Sequence, residues 1–310
     1  MELFCWSEAP QLTIPTNTSQ MATLLSWPSL NAVLFMLQLL FSANQNAFSP
    51  DTPPNNTPDI PIAPAGYAFV IWLVIYFFAA LHVFVDCFYA KYSIYEAADP
   101  PSFLRKCFAA SCVLNMAWVV LNNWLQWINV GTVDLVLLTT SLFPIYLFIS
   151  RESITTNAPT NWRRYFLSAL AIRLYFSWVC AATLLCFTAS LQDFYGAYLS
   201  FHFYALILSL LFVVALSGVV YAHDPVIGLV ATWALVGLAN RDGTFEDPSV
   251  QHTFNLLRAS AALVAPILPL MIGISSVHKH ISRRRRQPDS ELAKPIESYQ
   301  TGPSYGATHA

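Results

Sequence analysis

Long apolar runs separated by short polar segments make up most of the chain, and eight of them read as helices that cross a bilayer. They cover residues 22–42, 66–88, 107–127, 132–150, 165–190, 198–221, 226–240 and 253–277. The second run, entered through Pro64-Ala65-Gly66, organises the others. As a helix rising about 1.5 Å per residue, Gly66 to Phe88 would reach about 34 Å, enough to span with some tilt. Phe69, Trp72 and Tyr76 recur at spacings of three and four and so share one face. Trp72 and Tyr76 fall about 9 and 15 Å inside the end that begins at Gly66, deeper than the interfacial belt. A deep aromatic face needs a partner. The pattern predicts an all-α, polytopic transmembrane bundle of about eight spans.

Composition agrees with that class. Of 310 residues, 56% are hydrophobic and 10% charged, against about 25% charged in a soluble domain. The net charge of -2 says little about partners; the placement of charge says more. Lys91, Arg105 and Lys106 follow the second run, Arg151, Arg163 and Arg164 the fourth, and Lys279, Arg283 to Arg286 and Lys294 the eighth. These are twelve of the fifteen basic residues, and only Arg241 stands in a loop on the other face. The asymmetry predicts a multi-pass protein with both termini cytoplasmic, in a membrane that the sequence does not specify. It places the Asn55-Asn56-Thr57 sequon outside, open to glycosylation, and Asn17-Thr18-Ser19 inside. Cys112, Cys180 and Cys186 fall within apolar runs and read as small apolar residues rather than disulfide partners. The amino terminus carries no basic region before its first apolar run, unlike a typical cleaved signal peptide.

Depth along the helices picks out further candidates. Trp118 lies about 16 Å in from Cys107, and Tyr175 and Trp178 about 15 and 20 Å in from Tyr165. With Tyr76, all sit near mid-bilayer, where they either pack between helices or line a ligand cavity. Asn115 and Asn122, seven apart with Trp118 between them, either bond a neighbouring helix or orient the polar edge of a ligand. Trp124, Trp127 and Trp162, at span ends, read as interfacial anchors. His82 and Asp86 are four apart, yet His202 falls in the opposite leaflet, so no shared metal site is expected. Arg173 lies about 12 Å in from its end and His82 about 9 Å from the same side. A contact from Arg173 to Asp86, or snorkelling, is the expectation, with a polar gate below the pocket as the functional alternative. Val85 to Lys91 fits a weak sterol-contact pattern. Phosphate-binding glycine loops, nucleophile elbows and the His-Glu-x-x-His motif are all missing, which lowers the expectation of catalysis.

Three of these stretches resemble one family. Pro64, Gly66, Tyr67, Phe69, Trp72 and Tyr76 are similar to a signature helix of the tryptophan-rich sensory protein, or translocator protein (TspO/MBR-like), family. Leu114-Asn115-Met116-Ala117-Trp118 matches its Leu-Asn-x-x-Trp motif, and Tyr175 to Trp178, followed by Ala181, resembles its Tyr-x-x-Trp helix. Trp233 to Gly237 matches the Trp-Ala-Leu-x-Gly motif of the longer, eight-span branch. The chain departs from the short members in the three-residue step from Phe69 to Trp72. No proline precedes Tyr175, and Arg173 stands in that region instead.

The resemblance implies a translocator-like core over 64–240, and the apolar and polar pattern around it predicts a first span and outer loop in 1–63, the last span in 241–282 and a disordered cytoplasmic tail in 283–310. It implies a five-helix core around a pocket for a flat hydrophobic ligand, a tetrapyrrole such as porphyrin or haem, or a sterol, with no cofactor required. The residues it carries into that pocket are Phe69, Trp72, Tyr76, Asn115, Trp118, Asn122, Tyr175 and Trp178. Expected partners are membrane lipid and a hydrophobic small molecule, not nucleic acid, with a homodimer left open. A small-solute transporter using the inner polar layer is the alternative reading, and an intramembrane enzyme the third.

Overall fold

The structure, a computed structural model, describes residues 26–44, 59–155 and 161–285. The Asn55 and Asn17 triplets and the polar tail beyond Arg285 lie outside the described residues. Among those described the chain is helical with no strand. Helix α1, Trp27–Ala43, carries Pro28 in its first turn, where a missing N–H leaves no bond unmade. A 3₁₀ turn, Gly66–Val70, leads into α2, Ile71–Phe88. Helix α3, Pro101–Trp118, widens into a π turn, Val119–Trp124, before α4, Ile128–Thr155. A second π turn, Tyr165–Ala169, opens α5, Leu170–Tyr195, which stops at Gly196 with φ 60°, a left-handed conformation that glycine adopts at little cost. Then follow α6, Phe201–Tyr221, α7, Pro225–Ala239, and α8, Pro248–Val264, which passes Pro266 into α9, Ile267–Arg285.

Six helical segments are long and apolar enough to cross a membrane, and α1 and α7 are shorter apolar helices. Their positions match the eight runs in the sequence. At the carboxyl end the helix runs to Arg285, so it continues through His278 to Ser282 and past the 283 boundary expected for the tail.

Two sets of helices pack differently. Helices α1 to α5 form one bundle, with α1 lying against α2 and α3 and α4 lying against α3 and α5. Helix α7 is the axis of the second set, touching α5, α6, α8 and α9. Its 15 residues reach only about 22 Å, less than the roughly 30 Å hydrocarbon core. Because neighbours cover it, with Val230, Ala231, Leu235 and Leu238 all buried, the shortfall exposes little to lipid.

Glycine permits this enclosure. A Cβ at Gly228 would lie 2.6 Å from Val219 and 2.9 Å from Ile272, and one at Gly237 would lie 2.9 Å from both Ala68 and Pro64. The Trp-Ala-Leu-x-Gly motif therefore receives the Pro-Ala-Gly turn. Trp233 Nε1 donates to the Ala68 carbonyl at 2.8 Å and Ala65 N–H to the Gly237 carbonyl at 2.9 Å. Arg241 clasps the same turn through Asp59 and the carbonyls of Ile60 and Ala63.

Candidate functional site

The 3₁₀ turn and α2 present Phe69, Trp72 and Tyr76 on one face, towards α5. Trp72 stacks on Tyr76 with ring centroids 5.5 Å apart and meets Tyr175 and Trp178 edge-on at 6.0 and 6.5 Å. Phe69 meets Trp178 edge-on at 5.8 Å, although the Phe69 side chain is itself exposed. Offset and edge-on geometries of this kind are the favoured ones for aromatic pairs. Tyr175 and Trp178 are buried, while Trp72, Tyr76 and Trp118 are half-buried members of the same apolar cluster. Trp118 makes no ring contact with these four.

Polar groups close one side of the rings. Gln38 Nε2 donates to the Tyr175 hydroxyl at 3.3 Å, and Ser42 shares a 2.8 Å hydrogen bond with the Tyr76 hydroxyl. Asn115 lies beside the Tyr175 hydroxyl. The Gln38 and Asn115 carbonyl oxygens and the Trp178 indole nitrogen are nevertheless buried without a hydrogen-bond partner among the described residues, while the Trp118 indole lies beside the Cys186 thiol. An unsatisfied buried polar atom costs about 1–3 kcal/mol, so three near one ring cluster call for an explanation.

Asn122 is not brought to this group. The π turn breaks the regular register after Trp118, and Asn122 donates to Asn123 at 2.9 Å and packs on Gly131 at the start of α4. Sequence reasoning missed Gln38 and Ser42 as site residues because α1 lay outside the assigned core. The signal available was an amide within an apolar run, which membrane helices turn inward. Trp127 and Trp162 are exposed, as anchors would be, and Trp124 stacks on Phe41 at 5.4 Å.

The ionisable residues sit in pairs different from those expected. Asp86 accepts from Arg105, whose Nη2 lies 2.8 Å away and also reaches Glu96 at 3.1 Å. Arg173 pairs with Asp224 at 2.6 Å, and both are buried. The expected Arg173 to Asp86 contact is therefore overturned. Depth placed the two at similar levels, but Arg173 points to the start of α7, where Asp224 also caps the helix by accepting from Val226 N–H at 2.9 Å. His82 is held through both ring nitrogens, by Ser168 and by the Tyr95 hydroxyl, each at 2.9 Å. Ser168 lies on the second π turn and also accepts from Ile94 N–H at 3.2 Å. Tyr95, in the loop after α2, is pushed well above the ordinary phenol value by burial, so it stays a neutral donor or acceptor for His82. Tyr92 in the same loop goes the other way, lowered by its hydrogen bond from Arg163 and by the nearby Lys91 charge.

Apolar helices that turn rings, amides and ion pairs inward and leave leucine, valine and phenylalanine outward define an integral, multi-pass helical membrane protein. Within that class, the model of the family described as TSPO-like protein matches residues 24–273, and the chain belongs to that family. No curated protein and no solved structure matches the chain. The match extends beyond the stretch from Pro64 to Asn240, taking in α1, α8 and the first turns of α9.

Proposed function

We propose that the protein binds a flat hydrophobic ligand, a tetrapyrrole or a sterol-like molecule, among the α1, α2, α3 and α5 side chains, and acts as its sensor or carrier. The observation that carries this reading is the Trp72 ring, which bears on Tyr76, Tyr175 and Trp178 at one level of the bundle. The unpartnered Gln38 and Asn115 carbonyls belong to amides at the Tyr175 hydroxyl, on one of the rings that Trp72 meets. Rings offer broad apolar faces at low entropic cost, and the amide oxygens would accept from a pyrrole N–H or a sterol hydroxyl. The ligand would replace ring-on-ring contacts with ring-on-ligand contacts and satisfy buried acceptors at the same time. The solute-transporter alternative gains little, because Arg173, Asp86 and His82 are each engaged by a neighbouring element.

The test is a thermal-shift panel of haem, protoporphyrin and a sterol on the purified protein. A ligand specific for the folded state and present at a hundred times its dissociation constant adds about 2.7 kcal/mol, a clear shift. No shift with any of the three, together with unaltered tryptophan emission, would sink the reading.

A further inference from the structure

At one end of the second set, the turn between α6 and α7 meets α9 through polar groups. Ser275 Oγ donates to the Val219 carbonyl at 3.0 Å and lies 2.8 Å from His223 Nδ1. A hydroxyl has one proton, so Nδ1 is the donor in the second bond, and Nε2 becomes a second donor when the ring is an imidazolium. His223 is held at φ 49°, a left-handed conformation at a helix end where glycine is usual. Backbone and hydroxyl together fix the ring. Beside it lies a cleft of about 220 Å³, counted out to its open side. Its apolar lining is Val219, Pro225 and Ile272, and its polar lining is His223, Ser275, Ser276 and Lys279. Ile272, Ser275, Ser276 and Lys279 follow at steps of three, one and three, so α9 gives the cleft one face. His223 and Lys279 are half-buried. The adjacent carboxylate, Asp224, is fully buried and paired with Arg173, so its charge is already compensated. The cleft is smaller than the roughly 300–1,000 Å³ of a drug-sized ligand site, and an ammonium, an imidazole and hydroxyls suit a compact anion.

Level and charge favour a lipid phosphate. Ser275 to Lys279 straddle the end of the eighth apolar run at Val277, and Tyr221, which ends α6, is exposed as interfacial rings are. The cleft therefore sits where headgroups lie, and the exposed Ile274 and Val277 carry the same helix on into hydrocarbon. Lys279 and an imidazolium at His223 together match the charge of about −1.5 to −2 on a phosphomonoester. We propose that the cleft binds the phosphomonoester of an anionic membrane lipid, with phosphatidic acid the simplest case, between Lys279 Nζ and His223 Nε2. Any phosphomonoester has this chemistry; the apolar lining and the lipid-facing α9 favour one carried on acyl chains. The site lies apart from the aromatic cluster and does not depend on a flat ligand binding there.

Native mass spectrometry of the purified full chain in detergent, titrated with dioctanoyl phosphatidic acid, dioctanoyl phosphatidylglycerol and inorganic phosphate, tests this. Phosphatidic acid should bind about tenfold more tightly than phosphatidylglycerol, whose phosphodiester carries a single charge, and inorganic phosphate at equal concentration should not displace it. Lys279→Gln and His223→Gln should each weaken phosphatidic acid about tenfold and erase its preference. Lys91→Gln, in the loop after α2, should leave both unchanged. If the His223 variant does not fold, Ser276→Leu fills the cleft from an exposed position and must give the same loss with an unchanged melting temperature. Replacing Arg283 to Arg286 with glutamine should weaken both lipids alike and keep the preference, because a basic tail attracts anionic lipid without selecting among headgroups. Equal binding of the two lipids, a preference insensitive to Lys279→Gln and Ser276→Leu, or one lost with the four arginines would each overturn the proposal. Displacement by inorganic phosphate would give the cleft to a soluble anion and overturn the lipid. Failure of protoporphyrin or sterol to bind would leave these results untouched, so the two readings fail separately.

Discussion

The two sets of helices solve the same burial problem with different chemistry. Helices α1 to α5 meet through rings, amides and hydroxyls. Gln38 reaches Tyr175, His82 is fixed from two sides, and Trp72 bears on three other rings. Helices α6 to α9 meet mainly through small and aliphatic residues, with Gly228 letting Val219 and Ile272 close on α7, and their polar links, Ser275 to His223 and the Val219 carbonyl and Arg258 to the Ala239 carbonyl, lie towards the helix ends. Directional groups hold a geometry and can address a ligand's polar edge, whereas close-packed small residues give tight but non-directional contact. On the proposed reading recognition belongs to the first set, and the second braces it through the Arg173 to Asp224 pair and the Trp233 and Gly237 grip on the α2 turn.

The largest expected effect comes from breaking the brace. Arg173→Ala leaves Asp224 buried and uncompensated, and thermal unfolding should show a loss of about 3–5 kcal/mol. Arg173→Met combined with Asp224→Asn should recover much of that, since no buried charge is then left alone. A single variant that melts like the wild type would mean that the pair does not join the two sets.

Next comes Gly228→Leu, whose Cβ alone would lie 2.6 and 2.9 Å from Val219 and Ile272. Overpacking of this kind costs about 1–3 kcal/mol. Ligand affinity, measured under conditions where the variant stays folded, should hold, because the rings of the proposed ligand site lie in the other set. A large loss of affinity with little loss of stability would blur the division.

A smaller effect concerns pH. Tyr95 is held above its ordinary value of 10.0 by burial, so the folded state keeps the proton that the unfolded chain releases first. Its contribution is full below about pH 10 and falls as pH rises from there towards the folded value. Melting temperatures between pH 8 and pH 11 should decline more steeply for the wild type than for Tyr95→Phe. The variant should start lower by the worth of one hydrogen bond, about 0.5–1.5 kcal/mol.

The helices were legible because lipid demands uninterrupted apolar runs, and the boundaries of α2, α6 and α7 fall within a few residues of their runs. The facing of Phe69, Trp72 and Tyr76 was legible from spacing alone. What spacing could not supply was azimuth between helices. It gave Arg173 the right depth and the wrong partner, because nothing local tells which neighbour stands opposite. The π turn was equally hidden. No proline or glycine marks Val119 to Trp124, yet the wider turn sends Asn122 to Gly131 instead of towards Tyr175. Gln38 carries its signal as an amide within an apolar run, but its use by Tyr175 depends on how α1 docks against the bundle.

The central claim rests on Trp72, the ring with the most aromatic neighbours in the site. Its direct test is the dissociation constant for protoporphyrin, measured by fluorescence titration on the wild type, Trp72→Ala and Trp162→Ala, alongside the melting temperature of each without ligand. An aromatic contact worth about 0.5–1.5 kcal/mol beyond its area predicts affinity weakened several-fold or more for Trp72→Ala, and unchanged for the exposed Trp162→Ala. Unaltered affinity in a Trp72→Ala protein that melts lower would show the rings to be packing alone and contradict the account.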